Sequence, residues 1–130
     1  MTSAKKVVLV VDDDARIRSF LRRLLQSFPD VDCIEASNVT EAIELLGAGA
    51  VDMVVSDMNM PGESGLHILE HVRANHCRIP FMILSGSLIW AEEEKLLAAG
   101  ADIVLPKSIE TAELKAALRD LVNRAGEIEP

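Results

Sequence analysis

Four aspartates, a serine and a lysine stand where this sequence turns from apolar to polar. Asp12, Asp13 and Asp14 follow the run Val-Val-Leu-Val-Val at 7–11. Asp57 closes a second apolar run, Ser85 and Gly86 close a third, and Lys107 follows Pro106 after a fourth. Asp12, Asp13 and Asp57 would repel one another if they met in a partly desolvated cleft. A hard divalent cation removes that conflict, and Mg²⁺ is the expected one because it prefers oxygen ligands and keeps several waters. A lysine and a hydroxyl facing the same acids suit the oxygens of a phosphoryl group. A carboxylate can itself accept phosphate, giving an aspartyl phosphate. Asp14 has a plainer role, as the cap of the helix that follows.

These residues can meet only if the elements before them run side by side. The β-branched run at 7–11 reads as a strand covered on both faces. Residues 31–36, 51–56, 81–84 and 103–105 read as four more strands. Helical periods separate them. Ile17, Leu21, Leu24, Leu25 and Phe28 share one helix face. Asn38 and Glu41 stand at capping-box spacing before Ala42, Leu45 and Leu46. Ser64 can cap a third helix with Leu66, Leu69 and Val72. A fourth covers about 88–99 and stops at Gly100, with Glu92, Glu93 and Glu94 near its start, where the helix dipole favours acids. A fifth carries Leu114, Ala117, Leu118 and Leu121. Five β-α units predict a parallel sheet with helices on both faces, joined by right-handed crossovers. In such sheets ligands bind at the carboxyl ends of the strands, near the switch in strand order.

Composition narrows the classes of function. The chain has 130 residues, a formal net charge of −8 and an apolar fraction of 49%, which fits one folded domain. Its acidity disfavours direct nucleic-acid binding. With three Phe, one Trp and no Tyr, it lacks a stacking platform for single strands. No apolar run reaches bilayer length, and the N-terminus lacks the apolar stretch of a secretory signal, so no membrane association and a cytoplasmic location are expected. Cys33 and Cys77 show no metal-ligand spacing and are expected to be reduced, half-buried thiols. His67 and His71 stand at i, i+4 without a further ligand nearby, which does not make a metal site.

From about residue 6 to residue 124 the chain resembles the receiver, or phosphoacceptor, domain of two-component response regulators. The resemblance is carried by Asp12-Asp13 after the first strand and by Asp-Met-Asn-Met-Pro-Gly-Glu-Ser-Gly at 57–65. It continues in Leu84-Ser85-Gly86 and in Gly100-Ala101-Asp102 leading to Lys107. It implies a flavodoxin-like (βα)5 sandwich with strand order 2-1-3-4-5, and Asp57 as phosphoacceptor. Asp13 is then the direct Mg²⁺ ligand, Asp12 a second acid acting through water, and Asn59 a ligand through its backbone carbonyl. Ser85 is the switch hydroxyl and Lys107 the cation paired with phosphate. A sensor histidine kinase or a phosphotransfer protein is the implied donor, and a downstream effector the implied recipient. Asn59 and Ser87 flank the implied path of the hydrolytic water. One receiver over residues 1–130, with no effector domain, is the expected organisation.

Two positions depart from the family pattern. Val104 stands where an aromatic usually swings between rotamers, and a stiff β-branched side chain cannot make that swing. Ser108 replaces the proline that usually follows the lysine in a cis bond, so a trans Lys107–Ser108 bond is expected. Leu88, Ile89 and Trp90 cannot all face inward from one helix. Trp90 either covers the space left by Val104 or joins an exposed output or homodimer surface. Arg16, Arg18, Arg22 and Arg23 form either a solvated basic face or a guide for an acidic partner. A degenerate receiver, binding partners without phosphorylation, is the rival reading. A nucleotide or flavin site is disfavoured, because Asp12, Asp13 and Asp14 stand where a phosphate loop would lie.

Overall fold

A computed structural model describes residues 5–75, 78–86 and 90–125. Five strands form one parallel sheet: β1 (Lys6–Val11), β2 (Val31–Ala36), β3 (Met53–Asp57), β4 (Phe81–Ser85) and β5 (Ile103–Pro106). Their spatial order is β2-β1-β3-β4-β5, the flavodoxin-like arrangement. Five helices alternate with them: α1 (Ala15–Gln26), α2 (Val39–Gly47), α3 (Gly65–Asn75), α4 (Trp90–Ala98) and α5 (Thr111–Ala125). Alternation along each strand divides the core in two. Leu9, Val11, Val54, Phe81 and Ile83 pack with residues of α2, α3 and α4. Val8, Val10, Val55, Met82 and Leu84 pack with residues of α1 and α5. Burial on both faces is why these strands read as continuous apolar runs.

Local chemistry sets the element ends. Asp14 caps α1, its carboxylate accepting from the Arg16 N–H. Asn38 caps α2 by accepting from the Glu41 N–H at 2.8 Å. The return half of that box falls one residue early. Glu41 accepts from the N–H and hydroxyl of Ser37 rather than from the Asn38 N–H, and the Ser37 hydroxyl leads in holding its carboxyl below the usual range.

Several element ends differ from the sequence pattern by one or two residues, most at β3 and α1. β3 begins at Met53, not at 51, because Asp52 is used to bracket Val7: its N–H donates to the Val7 carbonyl and its carboxylate accepts from the Val7 N–H. Helix α1 ends at Gln26, before Phe28. Phe28 is buried all the same, with the Arg119 guanidinium 4.9 Å from its ring centre. A two-stranded antiparallel ribbon of Asn59–Met60 and Glu63–Ser64 follows β3. Its turn uses Gly62 at φ 77°, a conformation that favours glycine. No cis peptide bond occurs among the described residues, so Lys107–Ser108 is trans, as expected.

Candidate functional site

Parallel pairing places the strand ends on one edge. Val11 is registered with Ser56, Asp57 with Leu84, and Ser85 with Pro106. β1 and β3 are neighbours at the point where strand order reverses, so Asp12 and Asp57 arrive side by side. Both are buried, with 1% and 4% exposure, while Asp13 is exposed. One carboxylate oxygen from each of Asp12, Asp13 and Asp57 lies within 4.8 Å of the others. Such a donor set, hard oxygens only and net negative, suits Mg²⁺.

Lys107 stands between two of these acids. Its Nζ is 3.1 Å from Asp12 Oδ2 and 3.1 Å from Asp57 Oδ1. The reach is set by the backbone, since the Lys107 N–H donates to the Ser85 carbonyl at 2.7 Å. That bond also ties the lysine to Ser85, which is buried. The Asn59 N–H donates to Asp57 Oδ1 at 3.3 Å. Burial, then the charge of Asp12, raises the Asp57 carboxyl above its ordinary value despite the pull of Lys107. Burial pushes the Lys107 ammonium down, but its bonds to Asp12 and Asp57 together outweigh burial and leave it raised. Two acids and one cation therefore make a cluster with charge still to be balanced.

Asp12, Asp13, Asp57, Asn59, Ser85 and Lys107 thus lie along one edge of the sheet. Ser87, with Leu88 and Ile89, lies outside the described residues, as do His76 and Cys77. Trp90 is 76% exposed and so does not fill the space beside Val104. Val104 is buried in the cluster that contains Ile83, Leu96 and Ala101. The α1 arginines divide: Arg16, beside Asp14, and Arg23 are exposed, whereas Arg18 and Arg22 turn to Glu35 of β2 and pair with it. Cys33 is a free thiol, pushed up to about 11 by burial.

Two features of the site were not read from the sequence. Gly65 ends the Asp-to-Gly string because a Cβ there would lie 2.5 Å from the Asp57 carbonyl oxygen. The ribbon before it was signalled by Pro61-Gly62, a pair suited to the centre of a type II turn.

Fold and site together define an α/β protein of the flavodoxin-like kind, with an acidic centre at the carboxyl edge of its sheet. Residues 8–119 match the family model described as response regulator receiver domain, and the chain belongs to that family. It is 37% identical over 117 residues to a response regulator, MprA, of Mycolicibacterium vanbaalenii, covering 90% of this chain and 50% of that protein. The chain spans about half the length of the curated relatives it matches. The receiver domain of Francisella response regulator 1452 superposes with a TM-score of 0.83 at 28% identity, covering 92% of this chain and 98% of that one. The signal receiver domain of the putative response regulator NarL from Mycobacterium tuberculosis also gives 0.83, at 27% identity, covering 93% and 98%. Membership is consistent with a place in two-component signalling. No helix among the described residues is long and apolar enough to cross a membrane.

Proposed function

We propose that this domain takes a phosphoryl group onto Asp57 from the phosphohistidine of a sensor histidine kinase or phosphotransfer protein. The observation that supports this best is the Lys107 ammonium held 3.1 Å from both Asp12 and Asp57. It places a cation where phosphoryl oxygens would need one, beside a carboxylate at the open end of the sheet. An Asp57 oxygen forms the new O–P bond as the N–P bond of the phosphohistidine breaks, and the freed imidazole nitrogen takes a proton from solvent. Lys107 is positioned to leave Asp57 and pair with an incoming oxygen, and the Ser85 hydroxyl to bond another. Asp12, Asp13, Asp57 and the Asn59 carbonyl would hold Mg²⁺, which supplies charge neutralisation for the transferring group. The protein's contribution is position and electrostatics rather than covalent chemistry beyond Asp57.

The product would be read by a downstream effector. Val104 is buried and β-branched, so the readout cannot use an aromatic swing at that position. The test is intact-mass measurement after incubation with Mg²⁺ and a small phosphodonor. Wild type should gain one phosphoryl group and Asp57→Asn none. A wild type that gains no phosphate overturns the proposal and leaves a phosphorylation-independent interaction module.

A further inference from the structure

Asp12 is held at four atoms by four different groups. Its N–H donates to the Ala36 carbonyl at 3.2 Å, and its Oδ1 accepts from the Asp14 N–H at 2.9 Å. Its Oδ2 faces Lys107. The fourth contact comes from α1: Arg18 Nη1 donates to the Asp12 carbonyl oxygen at 2.6 Å. That oxygen belongs to the peptide joining Asp12 to Asp13. Because a peptide is planar, fixing its oxygen fixes the direction in which the next residue leaves. A grip on the Asp12 carbonyl therefore orients the Asp13 side chain as well as Asp12.

Arg18 is itself anchored. Its Nε donates to Glu35 Oε1 at 3.0 Å, and Glu35 Oε2 accepts from Arg22 Nε at 2.5 Å. Glu35 immediately precedes Ala36, the residue that holds the Asp12 N–H. The bond from Arg22 is the main cause that keeps the Glu35 carboxyl below its usual range. The Arg18 side chain is only 18% exposed, which is low for an arginine serving as solvated surface. Two arginines and one glutamate also leave a net positive charge behind the acidic cluster.

We propose that Arg18, braced by Glu35, is a positioning residue of the phosphoacceptor site. It sets the peptide between Asp12 and Asp13 so that both carboxylates are presented to Mg²⁺. The inference rests on the metal-site reading above.

Isothermal titration with MgCl2 alone tests it, with folding checked by circular dichroism. Arg18→Met should weaken Mg²⁺ binding roughly tenfold, the low end for a partner that orients metal ligands. Arg18→Lys should recover part of the loss, because an ammonium can reach the carbonyl or Glu35 but lacks the fork to hold both. Glu35→Gln leaves Arg18 in place but uncharges its brace, and should weaken binding less than Arg18→Met does. Arg119→Met is the control. It breaks a comparable pair with Asp30, at 2.9 Å before β2, so it should lower stability and leave Mg²⁺ affinity unchanged. If wild type binds Mg²⁺ and the folded Arg18 and Glu35 variants bind it equally well, this inference fails alone. If wild type binds no Mg²⁺, the metal-site reading fails and takes this inference with it.

Discussion

Gly65 packs against the backbone of Asp57 so closely that a methyl group between them would lie 2.5 Å from the Asp57 carbonyl oxygen and 3.0 Å from Ser56 Oγ. The Gly65 N–H also donates to the Met58 carbonyl at 2.8 Å. The first turn of α3 is thereby pressed against the end of β3. Gly65→Ala must push Asp57 or α3 aside, and overpacking of this kind costs about 1–3 kcal/mol. The expected outcome is a lower urea midpoint together with slower phosphorylation by a small donor. Loss of stability without any change in phosphorylation rate would show that the contact serves packing alone.

Acid titration of stability should report on Asp57. Its carboxyl is raised above 3.8 by burial first and by Asp12 second. The folded protein therefore binds that proton more tightly than the unfolded chain does, and ionised Asp57 lowers stability. The penalty sets in as pH climbs from the unfolded value and is complete once pH passes the raised folded value. Asp57→Asn removes it. At pH 7 the variant should melt higher than wild type. The gap should close below pH 4. Lys107, raised above 10.5, keeps its stabilising contribution below that value and loses it only at higher pH, so it leaves the acid window undisturbed. A variant that melts lower at pH 7 would mean that the lost pairing with Lys107 outweighs the relieved burial.

Divalent metal should stabilise the fold. Asp12, Asp13 and Asp57 come together only in the folded chain, so Mg²⁺ bound there raises stability by mass action. The gain is about 2.7 kcal/mol at a hundred times the dissociation constant. Thermal melts with MgCl2 and with EDTA measure it. Asp13→Asn should abolish most of the increase, because Asp13 is the exposed member of the cluster and its loss costs the fold little. An equal increase in that variant would move the metal elsewhere.

Trp90 offers a direct optical report. It is the single tryptophan in a chain without tyrosine, and it opens α4 five residues after Ser85. At 76% exposure its emission should be that of a hydrated indole, readily quenched by acrylamide. Phosphodonor and Mg²⁺ should change that emission in wild type and leave Asp57→Asn unchanged. Equal spectra in both would show that α4 does not respond to Asp57.

Local signals made most of the fold legible. The inner strands β1, β3 and β4 announced themselves as apolar runs because both faces are covered, and caps such as Asp14 and Asn38 lie next to the helices they start. Asp12, Asp57, Ser85 and Lys107 could be grouped because parallel strands put their ends on one edge. Contacts between distant segments could not be read in this way. Arg18 and Arg22 looked like a basic surface because Glu35, their partner, belongs to another element. Asp52 looked like part of a strand because its hydrogen bonds are made to Val7. The exposure of Trp90 depends on how α4 is turned, and three apolar neighbours do not determine that.

Arg73, in the last turn of α3, reaches around both ends of the next β-α crossover. It donates to the Ile79 carbonyl just before β4 at 2.8 Å, and to the Gly100 carbonyl just after α4 at 2.7 and 3.0 Å. Asp102 closes the clasp, accepting from Arg73 and from the Phe81 N–H. Between these knots, Leu96 is the buried residue of α4, whereas α3 buries Gly65, Ile68, Leu69 and Val72. Helix α4 is strung like a bow, its flanking segments pinned and its own limb lightly held. A pull at Ser85 would flex the limb while the tips and β5 stay put, and amide exchange should find α4 opening before any other helix.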